Sequence, residues 1–136
     1  MALQITAVDL NNVFEHAREG YPHEACGLFG GRDGKVSTFY PMVNVAASGT
    51  VYMLDSREQL EVMQKMDDSE EELIGIYHSH VASEAFPSPT DIEQAFYPDA
   101  AYVIVSLQQM GEPEMKAFWI RDGKISAEEV QVIVDE

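Results

Sequence analysis

The run Leu73-Ile74-Gly75-Ile76-Tyr77 carries no charge and leads directly into His78-Ser79-His80. It limits what the chain can fold into more than any other stretch. A short apolar run of this kind reads as a buried strand. Strand side chains alternate between two faces, so histidines two apart share one face. The same spacing also suits surface or hydrogen-bonded histidines, and spacing alone does not separate the two readings.

The elements around this strand outline a mixed α/β fold. Leu10, Val13, Phe14 and Ala17 recur at helical spacing, with Asp9 as cap and Gly20 as stop, and Tyr21-Pro22 ends that helix. The segments 26–31 and 35–43, joined by Arg32-Asp33-Gly34, read as a hairpin. A second helix is expected over 56–67 with Leu60, Met63 and Met66 inward. The acidic run 67–72 then reads as a solvated turn. Ser88-Pro89-Thr90-Asp91 opens a short helix carrying Ile92, Ala95 and Phe96. Strands are expected at 101–107 and 114–120, with Gly123 turning the chain into a last extended segment near 130–134. The sum is an α/β chain with a mixed, largely antiparallel sheet flanked by helices. No repeat or linker interrupts it, so residues 1–136 read as one domain.

Charge and cysteine content narrow the partners. Twenty-four Asp and Glu stand against eight Lys and Arg, a formal net charge of -16. A field of that sign repels phosphate backbones and anionic bilayers, so neither nucleic acid nor a membrane is the expected partner. One cysteine, Cys26, excludes an internal disulfide and a multi-cysteine zinc cage. No stretch has the roughly 18 consecutive apolar residues of a membrane helix, and the start shows no secretory pattern, so the expected compartment is the cytoplasm. Pairing of two copies as a homodimer is left open.

Two imidazoles on one strand face, joined by one carboxylate, would give zinc three protein ligands and leave a fourth position for water. Asp91, eleven residues after His80, is the expected third ligand, returned by the loop 81–87. The segment Ser88–Asp91 is equally a helix start, with Ser88 as N-cap and Asp91 as the acid of a capping box. Glu24 lies just before the strand expected to pair beside His78. There it is either a surface acid or the group that moves a proton for a metal-activated water. Ser88 is either a cap or an oxyanion donor. Cys26, between Ala25 and Gly27, reads as a core thiol rather than a nucleophile. His16 and His23 read as surface histidines.

The run HSHVASEAFPSPTD (78–91), with Glu24 upstream in EACGLFGG (24–31), resembles the JAMM (MPN+) metalloprotease pattern, E…H-x-H-P-x5-P-S-x2-D. Glu24, His78, His80, Pro87, Ser88 and Asp91 all fall on it. Val81 stands where that family usually has Pro, which bears on loop rigidity and not on a ligand. The resemblance implies a cytidine-deaminase-like JAMM/MPN domain. It further implies one zinc per chain on His78, His80 and Asp91, with Glu24 as acid/base and Ser88 as oxyanion donor. The chain has no room for the two long insertions with which large deubiquitinating relatives grip ubiquitin. Its YPHEACGLFG (21–30) and GIYHSH (75–80) are instead similar to the compact bacterial subgroup. That likeness implies a peptidase acting after the Gly-Gly tail of a ubiquitin-like sulfur-carrier protein, releasing cysteine or a short extension. Glycines suit a narrow channel that side chains would block, and the tail is expected to lie as an added strand at a sheet edge near the metal. The competing class is a silent MPN-type binding module that keeps the ligands without activity.

Overall fold

The computed structural model describes residues 2–134. The chain runs β1 (Leu3–Thr6), α1 (Ala7–Gly20), β2 (Cys26–Arg32), β3 (Lys35–Met42), α2 (Ser56–Asp68) and β4 (Glu72–His80). It continues through α3 (Pro89–Glu93), β5 (Ala101–Ser106), β6 (Glu114–Arg121), β7 (Lys124–Glu128) and β8 (Val130–Ile133). The strands form one eight-stranded sheet in the order β7-β6-β5-β4-β2-β3-β1-β8. Pairings β2–β3, β2–β4, β5–β6 and β6–β7 are antiparallel, whereas β1–β3, β1–β8 and β4–β5 are parallel. The expected mixed α/β architecture with helices against the sheet is present. None of the described helices is long and apolar enough to cross a membrane.

Two layers of core separate by strand parity. Val13 and Ala17 of α1 pack with Phe29, Tyr77, Val103 and Val105 on one face. Val62 and Met66 of α2 pack with Cys26, Leu28, Ile76 and Tyr102 on the other. Because β4 alternates, His78 and His80 share the α2 face with Ile76, while Tyr77 points to α1. The β2–β3 and β6–β7 hairpin turns use the same tetrapeptide, Arg-Asp-Gly-Lys. Asp33 and Gly34 have φ of 53° and 77°, and Asp122 and Gly123 have 52° and 74°. Positive φ at both central residues marks the type I′ loop, where Gly at the second place costs nothing.

Several expectations change. Thr6, not Asp9, caps α1: its hydroxyl accepts from the Asp9 amide at 3.1 Å. Leu60 points outward at 72% exposure, because Val62, Met63 and Met66 set the buried stripe and Leu60 lies roughly 110° around the helix from its centre. Helix α3 stops at Glu93, which leaves Phe96 75% exposed. His16 is half-buried and meets Phe39 and Tyr77 edge-on, with Nδ1 3.3 Å from the Tyr77 hydroxyl. His23 is exposed as expected. The acidic turn after α2 is largely solvated, yet Glu71 accepts from Tyr40 Oη at 2.5 Å, from Thr38 Oγ1 at 2.7 Å and from the Ser37 hydroxyl, pinning the turn to β3. Strand β4 lies between β5 and β2, and the sheet edges are β7 and β8 at its far ends. Among the described residues, therefore, no edge strand of the sheet lies beside His78 and His80 for a tail to join as an added strand.

Candidate metal centre

Strand β4 delivers both imidazoles to one point, and α3 returns Asp91 to meet them. His78 Nε2 is 3.2 Å from His80 Nε2 and 3.2 Å from Asp91 Oδ2, and His80 Nε2 is 3.0 Å from the same oxygen. A zinc ion with ligand bonds of about 2.0–2.1 Å in a tetrahedron spaces its donor atoms by roughly 3.3 Å. The three atoms are close to that spacing without any adjustment.

The protonation pattern argues the same way. His80 Nδ1 lies 2.9 Å from the Glu84 carbonyl oxygen. A carbonyl only accepts, so Nδ1 carries the proton and the neutral ring turns a lone pair at Nε2. That lone pair faces a carboxylate oxygen, which is also an acceptor. Only a proton or a cation between them makes the contact favourable. Burial raises the Asp91 carboxyl, but hydrogen bonds with His78, His80 and the Ser88 amide outweigh it and hold Asp91 well below the usual carboxylate range. Burial lowers His80, and its bonds to Asp91 and the Glu84 carbonyl more than offset this. His78 is pushed down by burial, only partly countered by Asp91. The donor set thus fits a divalent cation, and these three residues could hold one.

The capping reading is also realised. Ser88 N donates to Asp91 Oδ2 at 2.8 Å, and Asp91 N donates to Ser88 Oγ at 3.1 Å, a reciprocal capping box. The oxygen that accepts from Ser88 is the one that faces both histidines. The cap thus aims the carboxylate at the two imidazoles.

Glu24 sits between α1 and β2 and is 5% exposed. Its Oε1 is buried without a hydrogen-bond partner, and burial raises its carboxyl to about 7 against the opposing pull of His80. The backbone on both sides of the carboxyl is fastened. Glu24 N donates to the Ser48 carbonyl at 2.7 Å, and Asn44 Nδ2 donates to the Glu24 carbonyl at 2.9 Å. Gly49 allows this close approach, since a Cβ there would stand 2.8 Å from the Pro22 oxygen. Cys26 is fully buried, and burial, then Glu58 and Glu24, push its thiol up to about 12. It is a core thiol, inert as a nucleophile at neutral pH.

Two residues of the site escaped sequence reasoning. Tyr52 stacks on His78 with ring centroids 4.4 Å apart and planes inclined by 16°. His78 Nδ1 is buried and unpartnered, so the stack supplies the ring support that a hydrogen bond supplies for His80. Asn44 satisfies all its side-chain capacity, with Nδ2 bonding the Glu24 and Val51 carbonyls and Oδ1 accepting from Ala46 and Met53. It ties Glu24 to the segment that carries Tyr52. The loop after β4 is held by the Glu84 bond, by Ser106 Oγ donating to the Ser83 carbonyl, and by Phe86 edge-on to Phe118. These anchors act where Val81 replaces Pro.

The chain belongs to the prokaryotic JAB-domain family: the profile Prok-JAB, prokaryotic homologs of the JAB domain, matches residues 7–121. It is 43% identical over 133 residues to the CysO-cysteine peptidase of Mycobacterium tuberculosis (strain ATCC 25618 / H37Rv), covering 96% of this chain and 91% of that one. It is 36% identical over 111 residues to the desampylase of Haloferax volcanii, covering 76% and 80%. A solution structure of a Desulfitobacterium hafniense protein superposes with a TM-score of 0.87 at 35% identity, covering 98% of this chain and 92% of that one. The chain is a hydrolytic enzyme of the JAMM type.

Proposed function

We propose that the protein is a zinc-dependent peptidase cutting the amide after the C-terminal Gly-Gly of a ubiquitin-like sulfur-carrier protein, with release of cysteine or a short extension. The observation that carries this reading is the convergence of His78 Nε2, His80 Nε2 and Asp91 Oδ2 within 3.0–3.2 Å of one another. The 43% identity to a relative named for cleaving CysO-cysteine supports the substrate class.

In this reading His78, His80 and Asp91 hold one zinc, which when bound supplies a Lewis acid that polarises the scissile carbonyl and acidifies water. Glu24 moves the protons. Held near 7 by burial, its carboxylate takes a proton from the attacking water as oxygen bonds to the carbonyl carbon of the second glycine. It then hands that proton to the nitrogen as the C–N bond breaks, and the second water proton passes from the new carboxyl to the amine, giving an ammonium and a Gly-Gly carboxylate. Ser88 Oγ accepts from the Asp91 amide and keeps its own proton to donate to the oxyanion. Asn44 and Ser48 hold the Glu24 backbone in register with the strand.

Incubating CysO bearing a C-terminal cysteine with the purified protein, followed by mass spectrometry, tests this. The expected product is the carrier cut back to Gly-Gly, in a chelator-sensitive reaction slowed strongly by alanine at the final glycine. An uncut carrier, or equal cutting of the alanine variant, overturns it.

A further inference from the structure

Three hollows adjoin one another on the α2 face of the sheet. The first, about 290 Å³, has Ile76 and Tyr102 at its base and Tyr52, Gln59, Phe96 and Tyr97 around it. A second shares Tyr97 and adds Met63 and Pro98, and a third shares Met63 and adds Leu60 and Asp67. The first adjoins the candidate metal centre through Tyr52 and Ile76. Ile76 stands two residues before His78 on the same face of β4, and Tyr52 both lines the hollow and stacks on His78.

The surface around these hollows is apolar where a solvated face would be polar. Phe96 and Leu60 are the exposed side chains that the packing leaves over, and Met53 beside Tyr52 is 59% exposed. Large apolar side chains gathered next to a catalytic group mark a binding face. Its rim is acidic on balance: Asp67 and Asp99 line the hollows, and Glu61 and Glu93 are exposed on α2 and α3, against Arg57 and Lys65 of α2 and Arg121, which donates to the Pro98 carbonyl. A second copy of this chain, itself at -16, would set like charge against like across such a rim.

Resting on the peptidase reading above, we propose that this face seats the globular body of the tailed carrier. The carrier meets it with an apolar patch ringed by lysine and arginine, and its C-terminal tail runs over Ile76 towards His78. Leu60, Phe96 and Met53 contact the carrier's body, and the acidic rim orients it. Specificity for a folded carrier over a free peptide then comes from a surface outside the catalytic group.

The test compares CysO bearing a C-terminal cysteine with a synthetic peptide of its last eight residues. Leu60→Ser and Phe96→Ser are expected to lower kcat/KM on the carrier at least tenfold, through KM. The carrier-to-peptide ratio should fall by a similar factor. Leu60→Lys should weaken the carrier further than Leu60→Glu, because the facing rim is basic. Val8→Ser, on the α1 face and 54% exposed, serves as the control for a surface substitution and should change neither rate. Equal carrier cleavage by wild type, Leu60→Ser and Phe96→Ser overturns the proposal. Titration of CysO ending at Gly-Gly separates it from the catalytic reading. Binding weakened by Leu60→Ser without any cleavage by wild type upholds the surface and removes the peptidase. Cleavage with binding indifferent to Leu60 and Phe96 removes the surface and upholds the peptidase. Wild type that neither binds nor cleaves overturns both.

Discussion

His80 is tied to Glu84, four residues ahead of it: its Nδ1 donates to the Glu84 carbonyl at 2.9 Å. That one bond decides which nitrogen meets Asp91. It also gives the loop after β4 a fixed starting point, so a surface turn and the tautomer of His80 are set together. His78 has no such bond and depends on Tyr52 for its orientation.

The shared oxygen of Asp91 separates metal binding from capping by mutation. Asp91→Ala should abolish zinc binding, because two imidazoles alone hold the metal poorly. Ser88→Ala should keep the zinc, lose about 1 kcal/mol of stability from the missing cap, and lower kcat by about 10²-fold if the hydroxyl stabilises the oxyanion. Zinc content, denaturant midpoints and kcat measured on both variants check this. Full zinc in Asp91→Ala would make Asp91 a cap and nothing more.

Tyr52 stacks on His78, so its support should come from the ring and not from the hydroxyl. Tyr52→Phe should leave zinc affinity within twofold, whereas Tyr52→Ala should weaken it two- to tenfold, the value of a stacked aromatic pair of about 0.5–1.5 kcal/mol. Competition with a chromogenic chelator measures both. A loss in Tyr52→Phe equal to that in Tyr52→Ala would assign the support to the hydroxyl instead.

Asn44 joins Glu24 to the Tyr52 segment through four hydrogen bonds. Asn44→Ala should cost about 2 kcal/mol, since it strands backbone groups that had partners, and should lower kcat more than it raises KM. Hydrogen exchange over residues 44–54 together with steady-state kinetics reads both effects. Unchanged kcat in a folded variant would remove Asn44 from the positioning of Glu24.

The site was legible where chemistry coincides with a local period. His-Ser-His on a strand declares its shared face, the Ser-Pro-Thr-Asp run declares a helix start, and Asp-Gly declares the turn at 33–34. Cys26 was legible as core from its apolar neighbours. Tyr52 and Asn44 were not, because 43–55 has no periodicity and its shape comes from Asn44 reaching backbone groups far apart in sequence. Strands β1 and β7 are short or polar, and only pairing with distant strands makes them strands. Leu60 and Phe96 misled because an apolar side chain implies burial, yet nothing local says whether the burying partner is this chain or another.

Glu24 should leave a pH signature on the metal-free protein. Its carboxyl moves from an ordinary 4.5 to about 7 in the fold, chiefly by burial. Below 4.5 it is protonated in both folded and unfolded chains and costs nothing. Between 4.5 and 7 the unfolded chain ionises first, so stability falls as pH rises, and above 7 the loss levels off at about 3 kcal/mol. Chelated Glu24→Gln should therefore unfold at higher denaturant than chelated wild type at pH 8. Near pH 4.5 most of that difference should disappear. A difference independent of pH would mean that the carboxyl titrates normally.

The most direct measurement is zinc content and turnover of Glu24→Gln on CysO-cysteine, side by side with wild type. The account predicts one zinc per chain in both proteins and a kcat lower by about three orders of magnitude or more in the variant, because the metal site is intact and the proton carrier is gone. Turnover within tenfold of wild type at full zinc, or loss of zinc together with activity, would contradict it.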